Sequence, residues 1–375
     1  MTEKELREIK RRFRPEKGNI SRVVGCFVNE NKQILAHISQ SIDFEDSIVS
    51  EKMLGVLKKS LSGALGTNLS DIAFSTRDTT ESEEHALLRG LVSSHLSDKE
   101  LLSKFYEKVI ESLNFEGNYV ILLANDVYDV FSKSSDGELA DSREVFSYIV
   151  CAVCPVKNHA EALSFRESES LFHLLSPSGI LCAPELGFMF PTFDDRKTNI
   201  YNALYYTRSL EENYADFVKN VFAKSPKMPP KAQTATFGAC LREGLGEECS
   251  YDAVRAVYTH IDAMVEAHKE SHDPEPLLIT KETVKSVLSD YGVEQERLAE
   301  VERAFDEGFG AGASITPRNA LKRGKFEIAT PSVQIKVDAE HRDLVSTQVI
   351  GGVKYVMIRA EGSVEVNGIP IDIEE

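Results

Sequence analysis

The last fifty residues of the chain alternate between apolar and polar side chains with a period of two, the pattern of a β-strand with one buried face. The alternation is clearest at Val333, Ile335 and Val337. Gly351-Gly352 and Asn367-Gly368 each stand between two such runs. These dipeptides between alternating runs are the strongest short-range signals for a β-hairpin. We therefore predict a C-terminal β-meander over residues 326–375.

Proline marks the clearest boundary along the chain. Residues 225–231 read Ser-Pro-Lys-Met-Pro-Pro-Lys, the densest proline cluster in the sequence, and such clusters interrupt helices and strands. At 375 residues the chain also exceeds the size at which one hydrophobic core keeps growing. We predict an N-terminal domain over 1–224, a linker over 225–231, a helical region over 232–325 and the β-meander over 326–375.

The N-terminal part mixes strand and helix signals. Asn29-Glu30-Asn31-Lys32 joins two apolar runs and predicts a hairpin, and runs 118–124 and 144–156 have the length of buried strands. Amphipathic stretches predict helices at 3–14, 45–62, 83–94, 97–113, 160–175 and 211–222. The predicted fold class is α+β: a mixed N-terminal domain with antiparallel strands and helices, then a helical segment and the C-terminal β-meander.

Charge limits the partners that the whole surface can attract. The chain has 60 acids and 43 bases, a net charge of −17, and an acidic surface repels phosphate backbones. Nucleic acid is therefore disfavoured except at a local basic patch. No apolar run approaches the roughly 18 to 20 residues that span a bilayer, and the N-terminal residues form no apolar signal-peptide core. We expect a cytoplasmic protein without a membrane partner.

The six cysteines predict no disulfide framework. In the cytoplasm they are reduced, and free cysteines are mostly small buried apolar residues. Cys151 and Cys154 form a Cys-x-x-Cys, but it lies inside an apolar strand. Strand side chains alternate between faces, so these two sulfurs are predicted to point to opposite sides of a sheet.

The segment 182–206 is the most unusual passage for function, with six aromatics between Phe188 and Tyr206 around an Asp-Asp-Arg triplet. Its carboxylates suit a divalent ion or acid–base chemistry, and its arginine suits a carboxylate or phosphate. Asp-Asp-Arg after a proline is also typical of a helix N-cap. The candidate binding residues are Glu185, Asp194, Asp195, Arg196 and Tyr205.

The N-terminal segment is a second candidate site. Residues 1–22 carry eight bases and four acids in a chain that is acidic overall. Such a patch suits phosphate, RNA or an acidic partner. The alternative is that these bases neutralise the protein's own acidic surface. The candidate anion or nucleic-acid contacts are Lys10, Arg11, Arg12 and Arg14.

No complete catalytic or cofactor motif is found. The sequence lacks a Gly-x-Ser-x-Gly nucleophile motif, a phosphate-binding loop and a Gly-x-Gly-x-x-Gly dinucleotide motif. His268 and His272 have the i, i+4 spacing of zinc proteases but lack the adjacent glutamate. Catalytic residues are therefore unassigned, and we predict neither a cofactor nor a metal.

Several passages together resemble one bacterial family, domain of unknown function 4317. They are Glu8–Ile20, Gly117–Asp129, Pro184–Phe188, Ala203–Thr207 and Val364–Gly368. The resemblance covers nearly the whole chain. It implies a bacterial, intracellular protein and brings no activity with it. The C-terminal hairpins are also similar to the tail of nucleoid-associated proteins.

Three functional hypotheses follow, and protein partners are possible in the first. The first is a non-catalytic binding or adaptor protein, because surface material for recognition is present without a catalytic constellation. The second is a hydrolase or phosphate-handling enzyme that uses Glu185, Asp194, Asp195 and Arg196. The third is a nucleoid-associated or nucleic-acid-binding protein that uses the basic N-terminal segment.

Overall fold

The computed structural model describes ten stretches of the chain, and all structural statements concern these residues. They are 1–42, 47–133, 139–159, 162–175, 178–194, 196–271, 277–320, 325–360, 364–366 and 369–371. The chain divides into two compact units, Met1–Pro230 and Lys231–Glu375. The finer division of the second unit into a helical region and a β-meander stays a prediction.

The first unit has twelve strands in the described residues, and eight of them form one large antiparallel sheet. The twelve strands are β1 (Arg22–Val28), β2 (Ile34–Ser41), β3 (Leu69–Ala73), β4 (Tyr119–Lys133), β5 (Leu139–His159), β6 (Ala162–Arg166), β7 (Leu171–Leu175), β8 (Ser178–Leu181), β9 (Leu186–Phe190), β10 (Thr192–Asp194), β11 (Lys197–Asn199) and β12 (Asn202–Thr207). The sheet order is β2-β1-β4-β5-β9-β12-β3, and β8 pairs with the end of β5. Within the described residues, β6 pairs only with β7, and β10 pairs only with β11.

Helices cover both faces of this sheet. They are α1 (Glu3–Arg11), α2 (Ser47–Lys59), α3 (Thr76–Glu81), α4 (Glu83–Ser93), α5 (Lys99–Ser112) and α6 (Ala215–Phe222). Apolar residues of α4, α5 and α6 pack on one face of the sheet, and those of α1 and α2 pack on the other. Leu6 and Ile9 show why α1 belongs there: they form the buried stripe of a helix whose other residues are mostly charged.

Alternation along β5 divides the two cores. Cys151 lies in the core under α4, α5 and α6, whereas Cys154 lies in the core under α1 and α2. The prediction that the two sulfurs point to opposite faces is confirmed, so the Cys-x-x-Cys spacing cannot bring them together.

The prediction of a helix over 160–175 is wrong. The described residues form a hairpin, in which Leu163 pairs with Leu174 and Phe165 with Phe172. Apolar residues at 163 and 165 have a spacing of two, which places them on one face of a strand and on different faces of a helix. Ser170, with φ of +55°, turns the chain into β7.

The second unit begins with helices and ends with strands. The helices are α7 (Pro230–Leu245), α8 (Tyr251–Ser271), α9 (Lys281–Tyr291), α10 (Gln295–Phe309) and α11 (Pro317–Ala320). The strands are β13 (Lys325–Ala329), β14 (Gln334–Asp338), β15 (Val345–Ile350), β16 (Val353–Ile358), β17 (Val364–Val366) and β18 (Ile369–Ile371). They pair as three separate two-stranded hairpins. Gly292, with φ of +100°, ends α9 as its C-cap.

The α+β fold class is confirmed, with an antiparallel sheet and a C-terminal run of strands. Gly351-Gly352 forms the turn between β15 and β16, as predicted. Asn367-Gly368 and the loop tip at 134–138 lie outside the described residues. No helix in the described stretches is both long and apolar enough to cross a bilayer.

Candidate functional site

The Asp-Asp-Arg triplet lies at a hairpin turn. Asp194 ends β10, and Arg196 enters β11 with φ of +57°. Asp195 lies outside the described residues. The interpretation of this triplet as a helix N-cap is wrong, because Asp194 pairs directly with Lys197 across a two-residue turn.

Asp194 is already bonded on several sides. Its carboxylate pairs with the N-terminal ammonium group of Met1. It also accepts hydrogen bonds from Asn199 Nδ2 at 2.6 Å and Thr192 Oγ1 at 2.8 Å. Burial alone would raise the pKa of Asp194, but these bonds outweigh it and the pKa is lowered.

Arg196 binds the N-terminal helix. Its Nη1 lies 3.0 Å from Glu8 Oε2, and Tyr128 donates its phenolic proton to the other oxygen of Glu8. Burial and the hydrogen bond to Glu8 both raise the pKa of Tyr128. Asp194 and Arg196 therefore hold the N-terminus and α1 against the β10–β11 hairpin.

The strongest anchor of the N-terminal segment is Arg12. Its Nε and Nη2 donate to the two oxygens of Asp126 at 2.5 and 2.9 Å. Asp126 also accepts from Tyr148 Oη at 2.7 Å and from the backbone nitrogen of Asn19 at 2.8 Å. Burial lowers the pKa of Arg12, but Asp126 outweighs this effect and the pKa is raised. Every oxygen of this buried carboxylate is satisfied, which is the pattern of a structural ion pair.

The remaining bases of this segment differ in exposure. Lys10 is half-buried, and burial lowers its pKa. Arg11 and Arg14 are exposed. Contact with anions or nucleic acid at these positions stays a prediction, and Arg12 contributes to the fold instead of the surface.

Glu185 and Tyr205 lie apart from the triplet. Glu185 precedes β9, whereas Asp194 follows it, so an extended strand separates the two carboxylates. Glu185 Oε1 pairs with Arg208 Nη1 at 2.8 Å. Tyr205 is buried, and its hydroxyl donates to the carbonyl of Asn213 at 3.2 Å; burial raises its pKa well above the usual value. Of the four described candidates, Asp194 and Arg196 lie at the same hairpin turn, whereas Glu185 and Tyr205 bond to other partners.

A pocket that the sequence did not reveal lies on the same unit. Its volume is about 530 Å³. It forms where the start of β1, the end of β2 and the middle of β4 meet the end of α4. The lining residues are Asn19, Ser21, Arg22, Val24, Ser41, His95, Leu96, Asn125 and Val127. None of these described lining residues is an acid, although the chain as a whole carries −17.

The end of α4 sets the position of His95. Leu96 N donates to Leu91 O, and His95 N donates to Val92 O, each at 3.0 Å. This pair of bonds is the Schellman motif, which usually has glycine at the position of His95. His95 and Leu96 have φ of +49° and +57°. The turn buries the Leu96 side chain in the core and leaves the His95 imidazole exposed beside the pocket.

Asn125 fixes the orientation of that imidazole. His95 Nδ1 lies 2.9 Å from Asn125 Oδ1. On its other side, Asn125 Nδ2 lies 3.0 Å from the carbonyl oxygen of Tyr148 and 3.3 Å from Ser147 Oγ. Asn125 belongs to β4 and Tyr148 to β5, so the sheet itself holds the imidazole.

Arg22 provides the positive charge of the pocket. Its Nη2 donates to the carbonyl of Leu96 at 3.3 Å. Within the described residues this is the one hydrogen bond of the Arg22 side chain, so its guanidinium pairs with no described carboxylate. Arg22 is the first residue of β1 and is exposed. Its remaining N–H groups are therefore available to an anion.

Sequence reasoning missed this pocket because its members lie far apart along the chain. One signal was present: the predicted helix 83–94 ends without a glycine, so the next residue, His95, has to adopt the left-handed conformation itself. Within the described residues, no group of three or more His, Cys, Asp or Glu side chains is placed to hold a metal ion. His272, four residues after His268, lies outside these residues.

Comparison with known proteins gives one match. The model of a family described as "Domain of unknown function (DUF4317)" matches residues 1–369. No curated protein and no solved structure matches the chain.

Proposed function

This chain belongs to the DUF4317 family, and from that premise we propose that it is a non-catalytic binding protein whose ligand carries an anionic group. The proposed site is the pocket of Arg22, His95 and Asn125. The observation that carries the proposal is an arginine without a described acidic partner, in a pocket without a described acid. A bacterial, cytoplasmic setting is part of the proposal.

The chemistry of arginine supports an anionic ligand. A guanidinium offers N–H groups in a planar fork that matches a carboxylate or a phosphate. The bond to Leu96 O uses one nitrogen of Arg22 and holds the group over the pocket. Because the whole protein is acidic, it repels anions at long range. The ligand is therefore small and is held by direct contacts.

The test is a binding titration of the purified protein by calorimetry, with inorganic phosphate and succinate as probes. We expect Arg22→Gln to weaken binding about tenfold, the effect of losing a hydrogen bond to a charged group. Arg89→Gln is the matched control, because Arg89 is an exposed arginine of α4 that does not line the pocket. Equal affinities of the wild type and Arg22→Gln, or no binding by the wild type, would overturn the proposal.

An apolar hairpin supports a second candidate, the adaptor function. Leu163, Phe165, Phe172 and Leu174 share one face of the β6–β7 hairpin. Their exposed fractions are 70, 52, 68 and 61 per cent. Contiguous exposed apolar side chains of this kind mark protein-interaction surfaces. A protein partner with an apolar surface fits this face.

Sedimentation of the purified protein first tests whether a second copy is that partner. The double variant Phe165→Ser and Phe172→Ser is expected to shift a concentration-dependent oligomer towards monomer. Val349→Ser with Val353→Ser is the control, since these residues are equally exposed in a different hairpin. Concentration-independent sedimentation of the wild type would exclude self-association through this face.

A further inference from the structure

The orientation of the Asn125 amide is fixed by its surroundings. The carbonyl oxygen of Tyr148 accepts hydrogen bonds and has no proton to donate. The Asn125 atom 3.0 Å from it must therefore be the NH₂ group. As a result, the amide oxygen of Asn125 faces His95.

This orientation determines the tautomer of His95. Because Asn125 Oδ1 accepts only, the imidazole nitrogen 2.9 Å away has to carry a hydrogen. In the neutral imidazole, protonation of Nδ1 leaves Nε2 as a bare acceptor. Nε2 has no hydrogen-bond partner among the described residues. The pocket thus contains an acceptor whose position and protonation are both set by the sheet.

Both supports of this acceptor are rigid. The backbone of His95 is held by the two bonds that end α4. The backbone of Asn125 is held in β4, opposite Ile149 of β5. The acceptor is therefore in place before a ligand arrives, which reduces the entropy cost of using it.

We infer that the pocket selects an anion that also carries a hydroxyl group, with Arg22 binding the anionic group and His95 Nε2 accepting the hydroxyl hydrogen. The ligand class is a small hydroxy acid. This inference rests on the proposed anion site. A hydroxyl donates a hydrogen bond to Nε2, whereas a second carboxylate at that position offers only lone pairs. The same acid without its hydroxyl group cannot make this hydrogen bond.

Malate and succinate are the test probes because they differ by one hydroxyl group. At pH 8 we expect the wild type to bind malate roughly fivefold more tightly than succinate, the effect of one neutral hydrogen bond. His95→Gly is expected to remove this preference, so that the variant binds malate and succinate with equal affinity. Glycine suits the left-handed backbone at this position, so the variant is expected to fold.

The outcomes separate the two proposals. Arg22→Gln is expected to weaken the binding of malate and of succinate by the same factor. If the wild type binds neither probe, the anion site itself is overturned. Equal wild-type affinities for malate and succinate, or a malate preference that survives His95→Gly, would overturn the hydroxyl inference alone. Nitrogen-15 NMR of the His95 ring supplies an independent measurement. A hydrogen on Nε2 in the free protein at pH 8 would also overturn it.

Discussion

Arg12 and Asp126 form a two-bonded ion pair that joins the N-terminal segment to the sheet. The Asp126 side chain has no exposed surface, and that of Arg12 is 12 per cent exposed. Tyr148 and Asn19 complete the bonds to the carboxylate. The most basic stretch of the sequence is thus used partly inside the protein.

Removing one partner of this pair is expected to destabilise the protein strongly. Arg12→Ala leaves the Asp126 carboxylate buried without its cation, which typically costs about 3–5 kcal/mol. Arg11→Ala is the control: Arg11 is its exposed neighbour, and such substitutions change stability by about 0.5 kcal/mol or less. Denaturant unfolding measures both. A loss below about 1 kcal/mol for Arg12→Ala would show that the pair contributes little.

Asp194 is expected to make stability depend on pH. Its pKa is lowered in the folded state, so its contribution is present above the unfolded pKa of about 3.9 and is lost as pH falls through the folded value. Asp194→Asn is therefore expected to be less stable than the wild type at pH 7. The difference should shrink between pH 4 and pH 2. Thermal unfolding at several pH values measures it, and a constant difference would contradict the assignment.

Cysteine reactivity is expected to follow burial. Burial raises the pKa of Cys26 and of Cys154 to about 12 and that of Cys240 to about 11, so these thiols hold their protons at pH 8. Cys182 and Cys249 are partly exposed. Alkylation followed by peptide mass spectrometry is expected to label these two first. Labelling of Cys26 at the same rate in the native protein would contradict the packing of β1.

His95 is expected to destabilise the protein, because it adopts a left-handed backbone conformation at the end of α4. A non-glycine residue in the left-handed conformation costs about 1–2 kcal/mol, so His95→Gly is expected to stabilise the protein by up to about 1 kcal/mol. His95→Val is expected to destabilise it, since a β-branched side chain fits this conformation worst. Thermal unfolding of the two variants measures both effects. A Val variant as stable as the Gly variant would contradict the observed turn.

Local patterns predicted much of the fold. Continuous apolar runs predict β4 and β5, because both faces of these strands are buried. The helices α4 and α5 are predicted from apolar residues that recur every three or four positions, because one face of each helix is buried. The stretch 160–175 is ambiguous in the sequence because Leu171, Leu174 and Leu175 have the i, i+3, i+4 spacing of a helix face. Pairing between β6 and β7 decided the outcome, and a single segment does not display its partner.

The candidate sites were less predictable for a related reason. The aromatic and charged surroundings of Asp194 and Arg196 make them unusual in the sequence, but their partners are Met1 and Glu8, nearly two hundred residues earlier. Arg22, His95 and Asn125 come from three separate elements and share no motif. Because strand pairing and helix packing bring these three side chains together, no fixed spacing in the sequence identifies them.

The position of Arg12 also has a consequence for synthesis on the ribosome. Its partner Asp126 follows 114 residues later, and translation at about 5–20 residues per second delays that partner by roughly 6 to 23 seconds. During this interval Arg12 lacks the carboxylate that binds it in the folded protein, so the N-terminal segment reaches its native position only after β4 has been made.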